Sequence, residues 1–267
     1  MLIVKKVILL EESELGMEKI ESIQNKQVKE WKKLLTRKGR KKQQQYIIEG
    51  AHLVEEALKA NASLSHILIR EDKVAEYDHY ISKETVLIST EVADELSDAV
   101  TNQGILAILN INESEESLTL KKPLLMLDEV QDPGNVGTLI RSADAAGFEG
   151  VIIGKGSVDL YNPKTIRSAQ GSHFHLPVIH ADLYDWTEKL KQKQIPVYGT
   201  ALDDRAVSYQ MIKTPKNFAL IVGNEGNGVH PDLLKMTTKN LYIPIKGEAE
   251  SLNVAVAGSI LMFALYR

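Results

Sequence analysis

The chain has no cysteine in its 267 residues, which excludes disulfide frameworks, thiolate metal ligation and thiol nucleophiles. That absence fits a reducing compartment, and a cytoplasmic location is expected. Long apolar runs are also missing. The stretch Leu2 to Leu10 is broken by Lys5 and Lys6 and is too short to cross a bilayer, so neither a membrane anchor nor an export signal is read. An overall basic charge is lacking too. The formal net charge is −4, which taken alone argues against a nucleic-acid partner, because phosphate binding relies on a cationic surface. What is present is 43% apolar and 25% charged residues, enough for two small domains with real cores.

The charge is unevenly placed. Between Lys26 and Lys42 stand nine cations, Lys26, Lys29, Lys32, Lys33, Arg37, Lys38, Arg40, Lys41 and Lys42, against the single anion Glu30, so this arm carries +8 and the remainder −12. A run of charge often marks only a solvated helix face. Here Val28, Trp31, Leu34 and Leu35 recur at helical spacing, so a docked amphipathic helix would present its cations as an organised patch suited to RNA.

Residues 1–16 are unlike the rest of the chain and read as a possible N-terminal extension. Over 17–111, helical patterns (26–38, 51–60, 90–98) alternate with short apolar strands (67–69, 86–88, 104–109), predicting a small α/β domain. Residues 112–119 open with Asn112-Glu113-Ser114-Glu115-Glu116-Ser117, which has no apolar residue and is assigned as a linker. From 120 to 267 near-continuous apolar strands (124–127, 151–153, 197–199, 218–222) alternate with helices (135–146, 163–169, 182–193, 252–266). That rhythm predicts a mostly parallel sheet covered on both faces. Ligands of such sheets gather beyond the carboxyl ends of the strands, which puts the loops 128–135, 199–204, 223–229 and 243–253 around one candidate site.

Three constellations fall in those loops. In Asp132-Pro133-Gly134-Asn135-Val136-Gly137-Thr138-Leu139-Ile140-Arg141, Asp-Pro-Gly makes a turn, Asn135 can cap the helix and Gly147 can end it. Gly137 lies four residues before Arg141, so bare backbone is expected beside a guanidinium. In Gly223-Asn224-Glu225-Gly226-Asn227-Gly228, three glycines after a buried strand permit close backbone approach to a ligand. The spacing matches neither a phosphate loop nor a dinucleotide fingerprint. The third runs from Ile243-Pro244-Ile245 to Ser251-Leu252-Asn253-Val254-Ala255-Val256-Ala257-Gly258. Ser251 or Asn253 can cap the last helix, whose stripe Val254, Ala257, Leu261, Leu265 should face a core or a partner.

Singly these motifs have bland readings as caps, turns and core. Their joint occurrence and order resemble the signature motifs of the SpoU (TrmH-like) RNA 2′-O-ribose methyltransferases of the SPOUT superfamily. The front resembles that family's RNA-binding domain through Ser22, Asn25, the basic helix, Arg40, Glu49-Gly50 and Gln103-Gly104. The resemblance implies an α/β chain with a carboxyl-terminal knotted (trefoil) parallel-sheet domain and a smaller amino-terminal, ribosomal-protein L30e-like RNA-binding domain. It also implies a homodimer through the knot domain and S-adenosyl-L-methionine as cofactor. By motif, cofactor contacts map to Thr200, Ala201, Leu220, Val222, Gly223, Ile243, Ile245, Leu252 and Asn253. The substrate is a structured RNA, with ribosomal RNA favoured over transfer RNA.

Methyl transfer from a sulfonium is an in-line displacement, so the protein must align the ribose hydroxyl and help remove its proton. Asn135, Arg141, Glu225, Ser251 and Asn253 are the candidate catalytic residues. A guanidinium is a poor base, so Arg141 is read as gripping a phosphate or ribose oxygen, in its own site or its partner's. A non-catalytic RNA-binding or ribosome-assembly protein is the main alternative; the intact Gly223-Asn224-Glu225-Gly226 and Ser251-Leu252-Asn253 argue against it. An ordinary dinucleotide-binding enzyme is disfavoured because no early strand leads into a glycine fingerprint.

Overall fold

The computed structural model describes residues 17–99, 101–112, 117–203 and 205–267. The expected extension at 1–16 and linker residues 113–116 lie outside the described residues. The chain divides into two compact units, Met1–Ile111 and Asn112–Arg267.

In the first unit, the strands β1 (Glu18–Ile20), β2 (Gln45–Glu49), β3 (Leu64–Arg70), β4 (Thr85–Ile88) and β5 (Ile105–Asn110) form a mixed sheet of order β1-β4-β3-β5-β2. The pairs involving β5 are antiparallel and the others parallel. The basic arm is not one continuous helix. It breaks into α1 (Lys26–Lys32), a short 3-10 turn (Lys33–Leu35) and α2 (Arg37–Gln43), because Thr36 leaves the helical region and caps α2 by accepting from Gly39 N at 3.1 Å. The apolar spacing does what amphipathicity requires: Val28, Trp31 and Leu34 are buried against Leu68, Ile88 and Leu106. Each such side chain contributes about 1.5–3 kcal/mol of burial.

The second unit carries β6 (Leu124–Leu127), β7 (Gly150–Ile153), β8 (Val178–His180), β9 (Val197–Thr200), β10 (Val207–Ser208), β11 (Ala219–Val222) and β12 (Lys239–Tyr242), ordered β10-β12-β9-β11-β6-β7-β8. Every pairing in it is parallel. Its α/β character and parallel sheet agree with the expectation. The strands β8, β10 and β12 are additions, too short to carry a periodic signal. Around the sheet run α5 (Pro133–Ala145), α6 (Pro163–Ala169), α7 (Leu183–Gln192), α8 (Pro231–Met236) and α9 (Val254–Leu265), counting the first unit's α3 (Ala51–Lys59) and α4 (Thr90–Leu96).

Two close packings fix α5. A Cβ on Gly137 would stand 2.5 Å from Thr165 O and 2.5 Å from Ser168 Cβ, so this glycine lets α6 rest directly on α5. It faces that helix and not the Arg141 guanidinium, which corrects the sequence expectation. On another side a Cβ added to Gly258 would lie 2.5 Å from Leu139 Cδ2, and Ser142 and Ser259 share a hydrogen bond of 2.8 Å. The buried stripe of α9 is therefore Ala255, Gly258, Leu261, Met262 and Leu265. Val254 and Ala257 are only half-buried, one step round from the buried face.

Candidate active site

Strands β12, β9, β11 and β6 lie side by side and all end on the same edge, at Tyr242, Thr200, Val222 and Leu127. The three motifs meet beyond that edge. Helix α5 begins with Pro133, a residue suited to the first helical position because it donates no N–H. The cap is consequently Asp132, whose Oδ1 accepts from Asn135 N at 2.8 Å; the expectation that Asn135 caps the helix is corrected. Its amide is thereby released for another task.

Asn135 Nδ2 donates to Glu225 Oε1 at 2.9 Å, and Asn135 Oδ1 accepts from Asn253 Nδ2 at 2.9 Å. Glu225 also accepts from the main-chain N–H groups of Asp132 (3.2 Å) and Gln131 (3.3 Å). Burial raises the affinity of the Glu225 carboxyl for its proton, but the bonds from Asn135 and from those main-chain groups outweigh it, and the group sits below the usual carboxylate range. Glu225 is thus an ionised clamp that spans two loops, poorly suited to taking a proton. Asn253 caps α9 by accepting from Ala255 N (2.9 Å) and Val256 N (3.2 Å) while its amide nitrogen serves Asn135.

The glycine loop is ordered by its own contacts. Asn224 and Gly228 exchange main-chain hydrogen bonds at 3.0 and 2.9 Å, Asn224 Oδ1 accepts from Gly226 N and Asn227 N, and its Nδ2 donates to Glu129 O. A Cβ on Gly223 would fall 2.2 Å from Gly228 C and Val229 N, so the loop's own backbone occupies the space that sequence reasoning reserved for a ligand. Beside it, Asp128 is buried and accepts from His230 N at 2.7 Å; burial pushes its carboxyl up, partly offset by that bond. Sequence reasoning left out this residue, although its place at the end of β6 was a signal.

The remaining candidates have different surroundings. Ser251 is exposed and caps nothing. Arg141 is exposed, and its guanidinium makes no hydrogen bond or ion pair among the described residues. Leu220 and Val222 lie within β11 with Val222 O accepting from Asp128 N, and Ala201 N donates to Leu241 O. These groups floor the edge. Past β12 the situation differs: the main-chain groups of residues 243–252 have no hydrogen-bond partner among the described residues. Half-buried Ile243 and Ile245 flank that donor and acceptor set, and Leu252 is 37% exposed. Free backbone N–H and C=O groups beside half-buried isoleucines suit an adenosyl group, so the residues fit S-adenosylmethionine. In the first unit, Arg40 is not part of a surface patch; it is 3% exposed and donates to Leu34 O at 2.8 Å. Lys32 pairs with Glu95 and Lys33 with Glu30.

With this geometry in place, residues 122–263 match the model of the SpoU rRNA Methylase family, and residues 25–107 match that of the MRM3-like substrate binding domain. The 23S rRNA (guanosine(2553)-2'-O)-methyltransferase RlmP of Bacillus subtilis (strain 168) is 47% identical over 249 residues, spanning 93% of this chain and 99% of that protein. A crystal structure of an RNA 2'-O ribose methyltransferase superposes with a TM-score of 0.79 at 32% identity, covering 92% of this chain and 97% of the other. An AdoMet-bound rRNA methyltransferase from Sinorhizobium meliloti does so at 0.81 and 27%, over 93% and 97%. The chain belongs to the SpoU rRNA methylase family. It is an S-adenosylmethionine-dependent methyltransferase that acts on a ribose 2′-hydroxyl of RNA.

Proposed function

We propose that the chain methylates the 2′-hydroxyl of a guanosine in 23S ribosomal RNA, with residues 17–111 holding the RNA and residues 120–267 performing the transfer. The observation that carries the site assignment is the hydrogen-bonded chain Asn253–Asn135–Glu225, in which one residue from each separate motif converges on a single point. Similarity to the Bacillus subtilis enzyme over nearly all of both chains supports the choice of RNA.

S-adenosylmethionine supplies an electrophilic methyl group. The protein's part is to place the ribose oxygen in line with it and to steady the charge that develops there. Asn135, gripped at both ends of its amide, is the positioned group that meets the ribose. Glu225 and Asn253 hold it in place. Arg141, exposed and without a partner among the described residues, grips an RNA phosphate or the ribose, in its own site or in that of a second subunit. The connection from β12 through 243–253 into α9 forms the trefoil knot, and the first unit adopts the ribosomal-protein-like RNA-binding fold. The exposed row Val256, Ile260 and Phe263 on α9 supports a homodimer through this domain, and the chain works in the cytoplasm. The described residues include no helix long and apolar enough to cross a membrane.

Incubation with methyl-labelled cofactor and either unmodified 23S rRNA or total transfer RNA, followed by digestion to nucleosides, tests the reading. Label in 2′-O-methylguanosine from ribosomal RNA is expected. Label in a base, or in transfer RNA alone, rules it out.

A further inference from the structure

A cavity of about 400 Å³ lies in the second unit, away from the motifs described above, between the segment 209–216 and the end of α9. Its walls include Lys213, Lys216 and Arg267 together with Tyr209, Gln210 and the Thr214 hydroxyl, and no Asp or Glu side chain. In a chain of net charge −4, three cations round one hollow without an opposing carboxylate side chain form a concentrated field. Several lysines elsewhere are neutralised locally, Lys59 by Glu55 and Glu56, Lys73 by Glu76 and Lys235 by Asp232. Lys213 and Lys216 are exposed and make no ion pair or hydrogen bond among the described residues. Thr214 donates to Leu265 O, tying this basic segment to the carboxyl end of α9.

That tie fixes how far the cavity is from the chemistry. Helix α9 has 12 residues, from its cap Asn253 in the active site to Leu265 in the cavity wall. At about 1.5 Å per residue its length is roughly 18 Å, which a few nucleotides of RNA span. Cations beside a half-exposed tyrosine are the combination that holds single-stranded RNA, the cations taking the phosphate and the ring a base. We infer that this cavity is a second RNA-anchoring subsite of the methyltransferase domain, in which Lys213, Lys216 and Arg267 bind a phosphate of the substrate RNA a few nucleotides from the methylated ribose, with Tyr209 beside the adjoining base. The inference rests on RNA being the substrate of the activity. It adds a contact that the basic arm of the first unit does not provide.

The test is the full-length K213Q/K216Q double variant against the wild type and a K121Q/K122Q double variant, which removes the same charge from exposed lysines outside the cavity. RNA binding is measured by filter retention over a salt series, and methyl transfer at saturating and limiting RNA. With K213Q/K216Q the log–log salt slope should flatten by up to about 0.7 units, the value for one single-stranded phosphate contact. The KM for RNA should rise about tenfold, while kcat at saturating RNA, cofactor affinity and melting temperature stay at the wild-type values. Inorganic phosphate titrated up to millimolar concentration should displace little RNA. An unchanged slope in K213Q/K216Q overturns the subsite, and so does equal flattening in K121Q/K122Q. Tight binding of inorganic phosphate that leaves RNA affinity untouched also overturns it, in favour of a small-anion site. A wild type that binds RNA with the expected slope but transfers no methyl group contradicts the catalytic reading and leaves the subsite standing.

Discussion

Asn253 does two jobs that substitutions can separate. Its side-chain oxygen caps α9 through Ala255 N and Val256 N, and its amide nitrogen holds Asn135 Oδ1 at 2.9 Å. Asn253→Ala removes both. Loss of an N-cap costs about 1 kcal/mol, which for a unit of this size lowers the melting temperature by about 2–4 °C. Asn253→Ser keeps a good cap but has no amide to reach Asn135. The lost link is a neutral hydrogen bond worth about 0.5–1.5 kcal/mol. If its whole value serves to orient Asn135 in the transition state, kcat falls about 2- to 12-fold. The two variants should therefore differ in melting temperature, read by circular dichroism, and agree in single-turnover methyl transfer. A serine variant with wild-type turnover beside a slow alanine variant would refute the reasoning, because the rate would then follow the cap and not the link.

Three further outcomes are expected. Gly137→Ala drives a Cβ into Thr165 O and Ser168 Cβ and should cost about 1–3 kcal/mol as overpacking, visible as a lower urea midpoint; an unchanged midpoint means that α5 and α6 do not pack this tightly. The His173 ring centroid lies 3.9 Å from that of Phe174, the rings tilted by 38°, and burial, aided by His175, pushes its imidazole down to about 3. The folded chain thus refuses a proton that the unfolded chain accepts below about pH 6.5, so the contribution is full above that pH and is lost toward pH 3. The slope from this group is at most about 1.4 kcal/mol per pH unit, and His173→Phe should flatten it in denaturant titrations at stepped pH; equal slopes exclude the burial. In the basic arm, replacing Lys38, Lys41 and Lys42 with Gln should flatten the salt dependence of RNA binding by up to about 0.9 units per lysine. Lys32→Gln with Lys33→Gln should matter less, since both are already ion-paired, and the reverse order contradicts the assignment.

Much of this molecule is legible in its residues, and the parts that are not have identifiable causes. Buried strands such as Leu124–Leu127 and Ala219–Val222 declare themselves as apolar runs, and the parallel sheet is implied by their alternation with helices. Val207–Ser208 and Lys239–Tyr242 do not, since two to four residues with exposed or polar members carry no period. The three motifs mark the site correctly as a place, but the pairing within it depends on where a helix starts. Pro133 opens the helix ahead of Asn135, hands the cap to Asp132 and leaves the Asn135 amide to meet Glu225. Arg40 shows the limit of counting charge: it looks like one more cation in a basic run, yet its guanidinium closes the turn beneath Leu34. Only tertiary packing distinguishes it from Lys41.

The most direct test of the central claim is Asn135→Ala measured in two assays on the same preparation. Calorimetry should give a dissociation constant for S-adenosylmethionine within about twofold of the wild type, because no candidate cofactor group lies on this side chain. Single-turnover methyl transfer to 23S rRNA should fall by about a hundredfold or more, the scale expected when a positioning group beside the reacting atom is removed. Full turnover in this variant, or a matching loss of cofactor affinity, would contradict the assignment of Asn135 to the RNA side of the transferring methyl.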